Sequence, residues 1–108
     1  MDAFIALSDP TRRRIVELLA GGERSAGELG ASFDISAPAI SQHLKVLKEA
    51  RLVQVRAEAQ RRIYALDAAG LDALEGWVDR IRGFWNERLD VLEQRLAAHP
   101  ETKKRRRP

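Results

Sequence analysis

Two serine helix caps, Ser25 and Ser36, constrain this chain more than any other feature, because they leave room between them for only one short helix and a tight turn. Ser25-Ala26-Gly27-Glu28 has the spacing of a capping box, in which serine and glutamate side chains satisfy the free N–H groups of a first helical turn. The spacing predicts a helix over about residues 25–32, with Leu29 and Phe33 as core contacts. Asp34-Ile35 forms the turn, and Ser36 caps a further helix over residues 37–50. Upstream, Asp9 followed by Pro10 is another start signal, since proline suits a first helical position that needs no N–H. That helix carries Ile15, Leu18 and Leu19 on one side and stops at Gly21-Gly22. Residues 2–7, with Phe4, Ile5 and Leu7, read as a short helix before it.

The pattern changes after Arg51. Leu52-Val53-Gln54-Val55-Arg56 and Arg62-Ile63-Tyr64-Ala65-Leu66 are β-prone and roughly alternating, and a turn around Ala59-Gln60 joins them as a hairpin. Residues 70–97 follow as one long helix of about 42 Å. Helix, helix, turn, helix, hairpin is the order of a winged helix-turn-helix. The expected fold class is therefore mostly α with a small β-hairpin: a winged helix-turn-helix with a long C-terminal dimerisation helix. Residues 1–98 are read as one DNA-binding and dimerisation domain, and residues 99–108 as a basic disordered tail.

Composition narrows the function. The net charge of +3 comes from the tail, where Lys103, Lys104, Arg105, Arg106 and Arg107 face only Glu101. Residues 1–100 hold 14 basic and 15 acidic groups, so the argument for a polyanionic partner rests on where charges sit. The chain has no cysteine, which removes disulfides, thiolate metal sites and cysteine nucleophiles together. No cofactor is expected, and no metal site, since the two histidines, His43 and His99, would need acidic helpers or a second subunit. No apolar run reaches the roughly 18 residues of a membrane span, and Met1-Asp2-Ala3-Phe4 lacks the start of a secretory signal. No membrane partner and a cytoplasmic location are the expectations.

On a helical wheel, residues 37–50 separate into two faces. Ile40, Leu44 and Leu47 share a narrow sector, with Ala37 and His43 at its edges. Opposite lie Pro38, Ser41, Gln42, Lys45 and Glu49, the first four small, hydrogen-bonding or basic and concentrated toward the N-terminal half. In a helix-turn-helix that half enters the major groove. Gln42 has the donor and acceptor to read adenine, Ser41 can bond to a base or a phosphate, and Lys45 suits phosphate, as do N–H groups near Ser36. A solvated face of an amphipathic helix would carry similar residue types, so this segment alone leaves both readings open. Arg56, Arg61 and Arg62 lie around the hairpin tip, opposed only by Glu58, and are candidates for phosphate or minor-groove contact.

Along residues 70–97, one stripe contains Leu71, Leu74, Val78, Ile81, Trp85, Leu89, Leu92 and Leu96, with Trp77, Phe84 and Val91 beside it. Together they cover about 160° of the helix surface, more than a small domain can bury along such a length. The expected outcome is a homodimer with Phe4, Trp77, Ile81, Phe84, Trp85, Leu89 and Leu92 at its interface.

Several of these segments together resemble the arsenical-resistance repressor (ArsR) family. They are Leu7-Ser8-Asp9-Pro10-Thr11-Arg12-Arg13-Arg14-Ile15, then Ser36-Ala37-Pro38-Ala39-Ile40-Ser41-Gln42-His43-Leu44-Lys45-Val46-Leu47, and the hairpin end Arg61-Arg62-Ile63-Tyr64. Trp77, Phe84-Trp85 and Arg88-Leu89 resemble a branch of that family without the usual metal sites. The resemblance spans about residues 3–96 and implies a dimeric winged-helix repressor whose terminal helices form the interface. It also implies that Ser41 and Gln42 touch DNA. Two departures stand out: Arg24-Ser25-Ala26-Gly27-Glu28 lacks the cysteines of many family metal sensors, and the wing turn has Ala59 where glycine is usual. The last helix also lacks the histidines from which other members build zinc sites.

The leading expectation is a metal-independent dimeric repressor on a double-stranded DNA operator. One alternative is a winged-helix protein-interaction module without specific DNA binding. Another is an atypical metal-sensing repressor using His99 or His43 with carboxylates. An enzyme is not expected: Ser41 and His43 diverge by about 200° around their helix, and no phosphate loop, metal-hydrolase helix or nucleophile elbow occurs.

Overall fold

The computed structural model describes residues 2–97. Eight elements follow in chain order: α1 (Ala3–Ala6), α2 (Pro10–Ala20), β1 (Arg24–Ser25), α3 (Ala26–Ala31), α4 (Ala37–Glu49), β2 (Val53–Glu58), β3 (Arg61–Leu66) and α5 (Ala68–Ala97). The expected basic tail, residues 99–108, lies outside the described residues.

Each of the starts expected for α2, α3 and α4 is set by a side chain legible in the sequence. The Asp9 carboxylate accepts from Arg12 N at 3.0 Å, with Pro10 in the first turn of α2. Ser25 and Glu28 form the reciprocal capping box of α3, Ser25 Oγ accepting from Glu28 N at 3.1 Å and Glu28 Oε1 accepting from Ser25 N at 2.8 Å. Ser36 Oγ accepts from Ala39 N at 3.3 Å to open α4. Substituting such a cap by alanine costs about 0.5–2 kcal/mol, so these local bonds fix where the helices begin.

The chain divides into two compact units, Met1–Leu74 and Glu75–Pro108. In the first, the core gathers Ile15 and Leu19 of α2, Leu29 of α3, Leu44 and Leu47 of α4, and Leu52, Val53 and Tyr64 of the hairpin region. Burying each of these large side chains contributes about 1.5–3 kcal/mol. Leu71 and Leu74, in the first turns of α5, pack against the same core.

The expected hairpin is present and longer than the alternation suggests, running to Glu58 and resuming at Arg61 across the turn Ala59-Gln60. It is also part of a three-stranded antiparallel sheet of order β1-β3-β2, with Arg24 opposite Tyr64 and Ser25 opposite Ile63. A strand of two residues carries no periodicity, so the sequence pattern does not reveal β1. Register fixes the sheet faces: Val53↔Leu66, Val55↔Tyr64 and Ala57↔Arg62 share one, and Gln54↔Ala65, Arg56↔Ile63 and Glu58↔Arg61 share the other.

Helix α5 begins two residues before the expected start, at Ala68, where Asp67 Oδ1 accepts from Ala69 N at 3.0 Å. In the second unit its apolar residues remain open to solvent: Trp77, Val78, Ile81, Phe84, Trp85, Val91 and Leu92 are all exposed, Phe84 at 63% and Trp85 at 60%.

Candidate nucleic-acid interface

The helix-turn-helix consists of α3, the turn through Phe33 to Ser36, and α4. Helix α4 is oriented by its apolar face, on which Ile40, Leu44 and Leu47 are buried. The opposite face presents Pro38, Ser41, Gln42 and Lys45 to solvent, as the wheel predicts. The side chains of Ser41, Gln42 and Lys45 make no hydrogen bond or ion pair with the described residues, leaving their polar groups open to an external partner. Ser36 is exposed as well, with its hydroxyl engaged in the cap.

A polar clasp fixes α4 from behind. The Arg12 guanidinium donates from Nε to Ala6 O at 2.6 Å and, through Nη1, meets His43 Nδ1 at 3.2 Å. Asp9 Oδ2 lies 3.9 Å from the same ring nitrogen. His43 is therefore a half-buried joint between α1, α2 and α4. The Asp9 carboxyl is held below its ordinary value, chiefly by the backbone N–H of Arg12 and also by the charge around His43 and Arg12. Arg13 donates to Leu7 O at 2.8 Å, and Arg14 lies 3.8 Å from Glu17. All three arginines of α2 thus have partners within the chain.

The basic residues of the wing are separated by strand parity. Arg62 lies on the face shared with Tyr64, is exposed, and makes no ion pair with the described residues. Arg56 and Arg61 lie on the opposite face among carboxylates. Arg56 donates to Glu23 through Nη1 and to Glu58 through Nη2, the latter at 2.9 Å, and these bonds stabilise its charged form. Arg61 Nη2 donates to Glu28 Oε1 at 3.3 Å. The Glu28 carboxyl is held below its usual range, first by the Ser25 backbone N–H in the capping box, then by the Ser25 side chain, and more weakly by Arg61. Glu23 and Glu28 are the members of this arrangement that the sequence reading misses, since only Glu58 is close to the arginines in sequence.

Of the residues expected at a dimer interface, Phe4 is exposed on α1. Trp77, Ile81, Phe84, Trp85 and Leu92 are exposed along α5, and Leu89 is half-buried. Among the described residues no group of three or more His, Asp or Glu could hold a metal ion, and no helix is long and apolar enough to cross a membrane. His99 lies outside the described residues.

With this geometry in view, comparison with known proteins gives a consistent result. The family described as bacterial regulatory protein, arsR family, matches residues 9–55, the segment from the α2 cap to mid-β2. The chain is 53% identical over 92 residues to the HTH-type transcriptional regulator Rv2034 of Mycobacterium tuberculosis, covering 85% of this chain and 83% of that protein. It is 40% identical over 77 residues to the transcriptional repressor SdpR of Bacillus subtilis, covering 71% of this chain and 86% of that protein. A solved structure described as a possible transcriptional regulator for arsenical resistance superposes with a TM-score of 0.70 at 44% identity, covering 85% of this chain and 93% of the other. A capped helix-turn-helix with an open polar face on α4, a three-stranded sheet and relatives matched over most of their length lead to one assignment: the chain belongs to the arsR family of bacterial regulatory proteins and is a DNA-binding transcriptional regulator.

Proposed function

We propose that this protein represses transcription as a homodimer on an inverted-repeat operator, and that its release from DNA does not depend on a metal ion. The observation that carries the reading is the open face of α4, where Pro38, Ser41, Gln42 and Lys45 are exposed together over a buried apolar face. Gln42 contacts a base edge, with adenine N6 and N7 as the matching donor and acceptor. Ser41 bonds to a base or a phosphate, and Lys45 to a phosphate. Pro38 packs against the groove, and the first N–H groups of α4, near Ser36, add a further backbone contact.

Homodimerisation is supported by the apolar length of α5. Trp77, Ile81, Phe84, Trp85 and Leu92 leave a single copy with a large exposed apolar stripe, the kind of patch that marks an association surface. A second copy is the occupant that fits DNA reading, because a two-fold protein sets two α4 helices into half-sites about one helical turn apart. Repression is the action named for the Bacillus subtilis relative. Metal independence rests on the absence of cysteine from the whole chain and of histidine from the 70–97 segment.

The test is a mobility-shift titration on the DNA upstream of the protein's own gene, with random duplex as competitor and with either zinc or a chelator present. Competitor-resistant binding that zinc and chelator leave unchanged is expected, with a sedimentation coefficient of two chains. Binding lost to random competitor in proportion, across upstream fragments of the genome, would remove operator recognition. A zinc-dependent change in affinity would remove metal independence.

A further inference from the structure

We propose that the three arginines of the wing have different tasks: Arg62 contacts DNA phosphate, whereas Arg56 and Arg61 are positioning residues that hold the hairpin to the body of the domain. This division rests on the DNA-binding reading above and refines its wing.

Strand register supplies the first argument. Arg62 shares a sheet face with Tyr64 and Leu66, which pack on the helical core. Arg56 and Arg61 are on the other side. There, two guanidinium groups meet three carboxylates, Glu23, Glu28 and Glu58. Both guanidinium charges are already met by carboxylates, so they attract an approaching phosphate less than the unpaired Arg62 does.

What Arg56 covers supplies the second. Ile63, on the central strand β3, is only 7% exposed although it lies outside the main core cluster. Arg56 sits directly across from it on β2, and Glu23 precedes β1 on its other side. Glu23, Arg56 and Ile63 line the same small cleft. The Arg56–Glu23 pair thus spans the sheet over Ile63, with the arginine stem covering apolar surface while its head stays in water. Arg61 makes a second tie, from the hairpin tip to Glu28, whose Oε1 also accepts from Ser25 N in the capping box of α3. An exposed ion pair alone contributes little, but these two ties join the wing to β1 and to the helix-turn-helix at separate points.

The experiment is a salt series of anisotropy titrations on a random-sequence duplex, using the full chain and the variants Arg62→Gln, Arg56→Gln, Arg61→Gln and Glu23→Gln. Removing one phosphate interaction lowers the slope of log K against log salt by about 0.9. Arg62→Gln is expected to lower it by about that amount per protomer. Arg56→Gln and Arg61→Gln are expected to keep the wild-type slope while lowering the thermal midpoint. Glu23→Gln keeps the Arg56 charge and removes its restraint, so it remains informative if Arg56→Gln does not fold; its slope should match wild type. An Arg56 or Arg61 variant whose slope falls as far as that of Arg62→Gln, a steeper slope in Glu23→Gln, or an unchanged slope in Arg62→Gln would each overturn the division. A wild-type protein that binds no duplex in a salt-dependent way would instead remove the DNA-binding reading itself, a result separable from the others because it appears before any substitution.

Discussion

The amide of Gly70 donates to the carbonyl of Arg51 at 2.7 Å, so the first turn of α5 lies directly on the backbone that ends α4. No side chain fits between them. A Cβ built at position 70 would stand 2.5 Å from Arg51 O, 2.8 Å from Arg51 C and 2.9 Å from Ala50 O, all backbone atoms. Gly70→Ala is therefore expected to destabilise the protein by about 1–3 kcal/mol, the cost of overpacking, despite alanine's better helix propensity. Gly83 is the control, because a Cβ there meets nothing within 4 Å. Gly83→Ala should stabilise by roughly 0.5–1 kcal/mol. Urea unfolding of both variants measures the contrast, and similar shifts in the same direction would contradict it.

How much of the fold is legible in the sequence follows from how local each feature is. Asp9, Ser25 and Ser36 act within three residues of themselves, so these helix starts can be read from short sequence windows. The faces of α4 are equally legible, since Ile40, Leu44 and Leu47 recur at helical spacing and are buried. The β1 strand, the Gly70 approach and the pairing of Arg56 and Arg61 with Glu23 and Glu28 join segments far apart in sequence. Nothing in their local composition announces them. Arginines grouped at a hairpin tip read as one basic patch until register divides them between two faces.

The clasp behind α4 gives stability a specific acid dependence. Asp9 is held below its ordinary carboxyl value of 3.8, mainly by the Arg12 backbone N–H. A carboxyl depressed in the folded state contributes stability above its unfolded value and loses it as pH falls through its folded value. Asp9→Asn keeps a capping oxygen but has no charge to favour. It should be less stable than wild type near neutral pH, with the difference shrinking as the pH falls below about 3.8. Denaturation midpoints across an acid series provide the measurement, and a difference constant with pH would rule out the charge as its source.

Among the described residues, two other than glycine adopt the left-handed backbone region, Arg51 at φ 59° and Ala59 at φ 56°. Arg51 follows the C-cap of α4, where Arg51 N donates to Lys48 O and Leu52 N to Leu47 O, closing the helix as a Schellman motif. Ala59 forms the wing turn in a backbone conformation that favours glycine. An L-residue in this region costs roughly 1–2 kcal/mol, partly offset on going to glycine by a more flexible unfolded chain. Ala59→Gly is therefore expected to raise stability by about 0.5–1 kcal/mol and leave DNA affinity unchanged. A thermal midpoint below wild type would show that the alanine conformation is not strained.

The α5 stripe makes the dimer proposal open to a single charge. Trp85 is 60% exposed in one chain and lies within the apolar run from Trp77 to Leu92. If that run meets a second copy, Trp85→Arg buries an unpaired guanidinium at the interface, at a cost of several kcal/mol, roughly a hundredfold or more in dimer affinity. The isolated chain should keep its helix content, because the position is open to solvent there. Sedimentation velocity at matched concentrations, with circular dichroism alongside, distinguishes loss of association from loss of folding. A dimer unchanged in strength would locate the interface away from Trp85.

Gln42 carries the sharpest expectation for sequence reading. Its side chain is exposed on the open face of α4 and makes no hydrogen bond with the described residues, so removing the amide disturbs no hydrogen bond within the fold. A bidentate contact to a base edge is worth about 1–3 kcal/mol of discrimination against the wrong base, whereas phosphate contacts act on any sequence. Gln42→Ala should thus weaken operator binding by roughly tenfold or more per half-site, and leave random-duplex affinity and its salt slope near wild type. Lys45→Ala should do the reverse, weakening both duplexes together and lowering the salt slope by about 0.9 for each lysine removed. The two variants check each other under the same buffer and salt. Equal loss on operator and random DNA for Gln42→Ala would assign the residue to the backbone, and base recognition would then have to come from Ser41 or from the shape of the site.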